Sequence, residues 1–315
     1  MACALAVAVA MSGVLPAGAQ GLGRGGENLY TPEPGARDLK ATLFNWAWHM
    51  GMLRGQAEPE LVQTLEYRAE GTIEVDGEAC SLTGYVEAEP GVLGTSGYRI
   101  SANYRIPGYR TQIECALPDG ETYSNIETMS GEYAWDEDIP GAEIVPGEGA
   151  ATPRPATLEE RRIRLWASPH GAPKAAIAAA AGVPVSESFG QNPATLLDRQ
   201  AAARVRSMTT LEWQGDKAIL TFPIPDVPGA VAIATLNDFL PESVVVRHGN
   251  NTTEFVYGDF RDFNNPLHRI DALYPGTIVE RKNGEVVRDL RTIVTEIGQV
   301  YVVVPVPDSV REARN

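Results

Sequence analysis

Residues 220–260, LTFPIPDVPGAVAIATLNDFLPESVVVRHGNNTTEFVYGDF, decide the fold. They hold several extended runs rich in Val, Ile, Thr and Phe, each broken by Pro, Gly or Asn, which is the pattern of short antiparallel strands joined by turns. No catalytic motif lies on them. The same pattern continues downstream through TIVERKNGEVVRDLRTIVTEI, where K-N-G-E reads as a hairpin turn, and through YVVVPVP to about Val304. Upstream it reaches back to Leu211 in LEWQG and KAILTFPI.

A second set of strands precedes these. LEYRAEGTIEV places Leu65, Tyr67, Ala69, Ile73 and Val75 on one face and Glu66, Arg68, Glu70, Thr72 and Glu74 on the other, the period of two expected of a half-buried strand. YRISANYRI repeats it, with Tyr98, Ile100, Ala102, Tyr104 and Ile106 facing inward. The V-D-G-E, I-P-G-Y and L-P-D-G breaks read as hairpins. TQIEC, TYSNIETMSG and EYAW extend the meander.

Helical periodicity occurs in two places. Leu39, Leu43, Trp46, Met50 and Leu53 recur at spacings of three and four, laying one apolar stripe on a helix that should end near Gly55. Between the two strand sets, Thr157 with an acid three positions on reads as a capping box for a second helix. An Ala-rich segment and the run from Asn192, with Pro193 in its first turn, add further helical pieces. The order is helix, sheet, helical insertion at about 157–208, sheet. Neither half has helices enough to cover its own sheet, so one domain over residues 37–308 is expected. It is mainly β (α+β), an unclosed antiparallel β-barrel or strongly curved sheet with helices covering its concave face.

Composition narrows the function. Residues 1–19 are apolar and end in A-G-A, the pattern of a secretory signal peptide. Residues 20–36 read as a flexible leader, 309–315 as a tail, and the protein as periplasmic or secreted. No later segment is apolar enough to span a membrane. The net charge of −15 disfavours nucleic acid and anionic lipid surfaces as partners. Beyond the leader there are two cysteines, Cys80 and Cys115. In an oxidising compartment they form either one disulfide or two separate buried thiols.

Reactive constellations are scarce. The histidines, His49, His170, His248 and His268, are scattered, no C-x-x-C pair or phosphate-cradling loop occurs, and no metal or cofactor is expected. Asp136, Glu137 and Asp138 stand beside Pro and Gly in an acidic loop, so they read as a solvated charge run. Asp259, Arg261 and Asp262 read as a capped turn. Either acidic group is also the material from which an exported hydrolase would draw acid and base, and the exposed sheet edge would suit an envelope protein-interaction module. The aromatics form the more telling set: Trp46, Trp48, Trp166, Trp213, Phe222 and Phe255 are candidate lining for an enclosed apolar space. Trp46 and Trp48 sit roughly 200° apart on a helix, so both cannot face one sheet equally, and one of them is expected to look into an enclosed space or toward a partner.

The chain resembles the LolA-like periplasmic lipoprotein carriers and related sorting proteins. The resemblance rests on the apolar N-terminus, the amphipathic helix before LEYRAEGTIEV, the unit VAIATLNDFLPESVVVRHGNNTTEFVYGDFRDFN, the following LYPGTIVERKNGEVVRDLRTIVTEIGQ and the ending VVVPVPDSV. It implies a half-barrel lidded by helices whose apolar cavity holds acyl chains. The expected function is that of a non-catalytic carrier or sensor for a lipid or other hydrophobic molecule, with an envelope protein as partner.

Overall fold

The structure is a computed structural model that describes residues 30–54, 58–59, 62–86, 95–263, 272–298 and 301–313. The expected signal peptide, most of the leader and His268 lie outside the described residues. Among the described residues, fourteen antiparallel strands form one strongly curved sheet that does not close into a barrel. The strands are β1 (Thr64–Val75), β2 (Glu78–Leu82), β3 (Tyr98–Asn103), β4 (Gly108–Ala116), β5 (Thr122–Ser130), β6 (Tyr133–Glu137) and β7 (Ala151–Pro153), then β8 (Thr210–Gln214), β9 (Lys217–Pro223), β10 (Val231–Asn237), β11 (Leu240–His248), β12 (Asn251–Gly258), β13 (Thr277–Lys282) and β14 (Glu285–Ile297). Their order is β8-β9-β10-β11-β12-β13-β14-β1-β2-β4-β5-β6-β7, with β3 filling in between β1 and β4.

The pairing of β14 with β1 joins the strands of the two halves of the chain into one sheet. It needs a glycine at Gly71, whose φ is +133° and where an added Cβ would stand 2.0 Å from the carbonyl oxygen of Asp289. Turn chemistry sets the hairpins. Asp76–Gly77 and Asn283–Gly284 both take positive φ, as a two-residue hairpin whose twist matches its strands requires.

Among the described residues, four helices longer than five residues accompany the sheet: α1 (Leu39–His49), α2 (Leu158–Ala167), α3 (Gly171–Ala181) and α4 (Pro193–Ala202). The side chain of Asn192 accepts from Ala194 N and caps α4. Thr157 does not cap α2: its hydroxyl donates to the Arg154 carbonyl, because a 3-10 turn at Pro155–Thr157 precedes the helix. Helix α1 stops at His49, short of the expected Gly55, and Leu53 has passed into extended backbone.

Helix α3 lies in the trough. All eleven of its residues are buried, and it packs on β9, whose buried residues are Ala218, Leu220 and Phe222. The small side chains of the helix let its axis sit close to the sheet. Gly171 permits the sharp turn from α2 into α3, since a Cβ there would stand 2.1 Å from the Leu165 carbonyl oxygen.

Four local expectations are corrected. Ile106 is exposed, because β3 ends at Asn103 and the chain is already turning. Residues 301–307 form no ladder, and the expected tail instead begins a short helix, Asp308–Glu312, that packs Val310 against Trp135, Ala142 and Ala151. Asp136 and Glu137 belong to β6 rather than to the acidic loop. The outer face of β1 is not fully solvated either: Glu66 and Arg68 are buried there in an ion cluster with Arg99. Among the described residues, no helix is long and apolar enough to cross a membrane.

Candidate functional site

The space under the helices falls into two parts of very different size. The interior hollow, between α2 and the middle of the sheet, has a volume of only about 40 Å³, room for a few water molecules. Tyrosines dominate its lining, among them Tyr67, Tyr98, Tyr104, Tyr109, Tyr257 and Tyr274. Several of their hydroxyls are engaged within the protein: Tyr257 donates to the Ala167 carbonyl at 2.7 Å, Tyr104 pairs with Ser168 at 3.0 Å, and Tyr109 accepts from Arg164 at 3.3 Å.

The second part is an open cleft of about 840 Å³ at one mouth of the half-barrel. Helix α3 and the segment after it form one wall, through Ala178, Ala179, Pro184 and Val185. The end of β9 and the loop from it to β10 form the other, through Pro223, Pro225 and Pro228. Trp166 lies at the base, Met208 at the rim, and the β5–β6 turn, Gly131 and Glu132, closes the end.

Sheet twist creates this cleft. By strand register, Pro223 and Val231 belong to the same end of the sheet as His248, Lys282 and Val75, whereas Ser130 and Tyr133 belong to the opposite end with Gly108 and Asn103. Nine strand-to-strand steps separate β9 from β5. At about 20–25° per step the direction rotates by roughly 180–225°, turning the strands end for end so that the β9–β10 loop meets the β5–β6 turn. Arg162 of α2 spans the two: one terminal nitrogen donates to the Asp226 carbonyl at 2.7 Å and the other to the Gly131 carbonyl at 2.9 Å.

Arg162 belongs to a run of three arginines, each holding α2 to a different part of the sheet. Arg161 is buried and donates to the carbonyls of Thr128 and Trp135 and to Asp136. Arg164 is buried against Glu280, Glu127, Glu160 and Tyr109. Arg288 completes that lattice by donating to Glu280 at 2.9 Å and to Glu127 at 3.3 Å. Burial alone would raise the Glu280 carboxyl, but Arg164 and Arg288 overcome it and hold the group down at about 2. Nearby in the core, burial and then Lys174 push the imidazole of His170 down to about 3; its Nε2 lies 3.2 Å from the Met50 carbonyl and its Nδ1 has no partner.

The aromatics singled out from the sequence do not share one cavity. Phe255 lines the hollow and Trp166 the cleft. Trp46 and Phe222 are buried in contact with each other. Trp48 is 43% exposed and stacks on Phe44, so it is the one of the α1 pair that turns away. Trp213 lies at the sheet edge under Arg37. Cys80 and Cys115 form a disulfide between β2 and β4. The acids resolve into structural roles: Asp136 pairs with Arg154 and Arg161, and Glu137 is buried, accepting from Arg110, Trp135 and Gly141. Asp138 accepts from Ala150 N. Asp259 takes a positive φ at the end of β12, and Arg261 lies over Phe263. Among the described residues, no group of His, Cys, Asp and Glu could hold a metal ion.

The arginine trio escaped the sequence reading. Its one signal was E-R-R-I-R-L-W itself, three guanidinium groups next to apolar residues on a helix, but their partners come from strands far away in the chain. No family model matches the chain, and no curated protein matches it.

Proposed function

We propose that the protein is an exported, periplasmic or secreted carrier or sensor that binds a lipid or another hydrophobic molecule without acting on it chemically. The seat of the ligand is the cleft at the mouth of the half-barrel rather than the hollow beneath α2. One observation carries this reading: the cleft, at about 840 Å³, falls within the range of ligand sites and has mainly apolar walls, whereas about 40 Å³ in the hollow admits no chain. The resemblance to LolA-like carriers supports the same class of function. An envelope protein that delivers or receives the ligand belongs to the same proposal.

Apolar burial contributes about 0.8 kcal/mol per methylene, so affinity should follow chain length. Delipidated protein titrated with a fluorescent monoacylglycerol should show saturable binding. In a homologous series of competitors, each two carbons removed should weaken binding by roughly tenfold. Affinity that ignores chain length, or that survives Val185→Trp and Met208→Trp, which crowd the cleft from its wall and its exposed rim, would remove the proposal. Mass spectrometry of what co-purifies with the native protein would name the ligand.

A further inference from the structure

The segment between α4 and β8 forms part of the rim of the cleft and is held in place there. Arg204 N donates to the Ala201 carbonyl at 3.1 Å and Val205 N to the Gln200 carbonyl at 3.2 Å, the paired bonds of a Schellman motif at the end of α4. The residue after the cap of that motif takes left-handed backbone and is usually glycine, because a side chain there is strained. Here it is Arg204, at φ +56°. Val205 leans on Gly182 of the cleft wall, where an added Cβ would stand 2.7 Å from the Val205 Cγ1. Met208 N then donates to the Ala179 carbonyl at 3.0 Å, so the segment is pinned to α3.

This pinned segment shows two cations and two apolar side chains to solvent. Arg204 and Arg206 are exposed, and neither guanidinium has an ion pair, a hydrogen bond or a ring partner among the described residues. Elsewhere in this acidic chain exposed cations are commonly taken, as Arg37, Lys217 and Arg291 are by Asp216, Glu242 and Glu70. Beside the two arginines Val205 is 43% and Met208 56% exposed. The acids of α4 and of the adjoining wall do not neutralise the pair: Asp198 is held by Lys40, and Glu187 meets neither arginine. The strain at Arg204 is matched by no protein contact of its side chain, which points to a use outside the chain.

Resting on the cleft as the ligand seat, we propose that this lip docks on the surface of a bilayer containing anionic phospholipids, which brings the mouth of the cleft to the layer that holds the ligand. Val205 and Met208 enter the interface beside the heads, and Arg204 and Arg206 meet the phosphates. Apolar burial joined to cations is the combination that holds a protein at an anionic lipid surface. The net charge of −15 acts through solvent and is screened over about 8–10 Å. It therefore keeps the acidic remainder of the molecule away from the lipid and leaves the two free cations to turn the mouth toward it.

The test is flotation of the delipidated full chain with vesicles of phosphatidylcholine alone and of an equal mixture with phosphatidylglycerol. The protein should partition onto the mixed vesicles and leave the neutral ones largely free. Arg206→Gln should weaken that partition about fivefold, and the double variant Arg204→Gln and Arg206→Gln roughly tenfold or more, while both keep saturable binding of the fluorescent monoacylglycerol in solution. Arg204→Gly separates docking from folding: it relieves the left-handed backbone, so it should unfold at no lower a denaturant concentration and still lose about fivefold in partition. Equal partition onto both kinds of vesicle, none onto either, or a double variant that partitions like the parent protein overturns the docking assignment. It falls as well if the double variant loses only the binding of monomeric dodecyl phosphate, since the arginines would then hold the head of the guest. Vesicle docking that persists without any monoacylglycerol binding would instead bring down the cleft as the ligand seat, so the two failures are told apart.

Discussion

The carbonyl oxygens of Gly131 and Asp226 belong to opposite ends of the sheet by register, yet they accept from the same guanidinium, that of Arg162. A half-barrel without interstrand bonds across its seam needs some other tie between its edges. Here that tie is a side chain from the covering helix.

Replacing Arg162 by Gln removes a bridge made of two charge-assisted bonds at a partly solvated site, so a loss of about 1–2 kcal/mol is expected. The more specific readout is local. Hydrogen exchange should quicken in the β9–β10 loop and in the β5–β6 turn together, and the bound reporter should leave faster. Arg162→Lys restores the charge but not the planar reach to both carbonyls, and should behave like Gln. Protection that changes on one lip alone would contradict the bridge.

Glu280 lies between two guanidinium groups in the interior. Glu280→Gln leaves Arg164 and Arg288 short of a counter-charge, and removal of one partner from a buried ion cluster costs about 3–5 kcal/mol. Denaturant unfolding at neutral pH measures it. The folded-state carboxyl is depressed to about 2, below its unfolded value. Its stabilisation is therefore fully present above about pH 4.5 and fades as the pH falls toward 2.

His170 acts in a separate, higher window. Its imidazole is held neutral in the core, down to about 3, while the unfolded chain protonates it at about 6.5. Below pH 6.5 the unfolded state binds the extra proton, so stability decreases on acidification with a slope that approaches about 1.4 kcal/mol per pH unit. Unfolding curves between pH 7 and 5 should show this slope, and it should flatten in His170→Gln. An unchanged slope in that variant would assign the effect to another group.

The disulfide between Cys80 and Cys115 closes a loop with a sequence separation of 35. Loop-closure entropy of that size stabilises by about 3–4 kcal/mol. The double variant Cys80→Ala and Cys115→Ala should unfold at a correspondingly lower denaturant concentration while keeping the antiparallel sheet signature in circular dichroism. Loss of the sheet signal in buffer would mean that the bond is required for folding rather than an addition to it.

The local order of the chain determined much of this protein. Alternation at period two set the faces of Leu65–Ala69 and Tyr98–Ala102, since neighbouring side chains on a strand must point opposite ways. Asp76–Gly77 and Asn283–Gly284 set their hairpins because the required backbone angles suit few residues, and Asn192 capped its helix from one residue's own oxygen. Sequence periodicity failed where a partner at a distance decided the outcome. Val302 to Val306 have strand composition but form no ladder among the described residues, the Val302 carbonyl accepting instead from the Asn103 side chain, and Glu137 carries a charge that Arg110 draws into the interior. Only the tertiary structure decided where empty space lies. Twist accumulated over many strands carries one loop end for end to meet a distant turn, and the tyrosines beneath α2 leave only a small hollow there while the cleft opens beside it. Such sums of small rotations and close contacts are properties of the whole sheet, and no stretch of residues contains them.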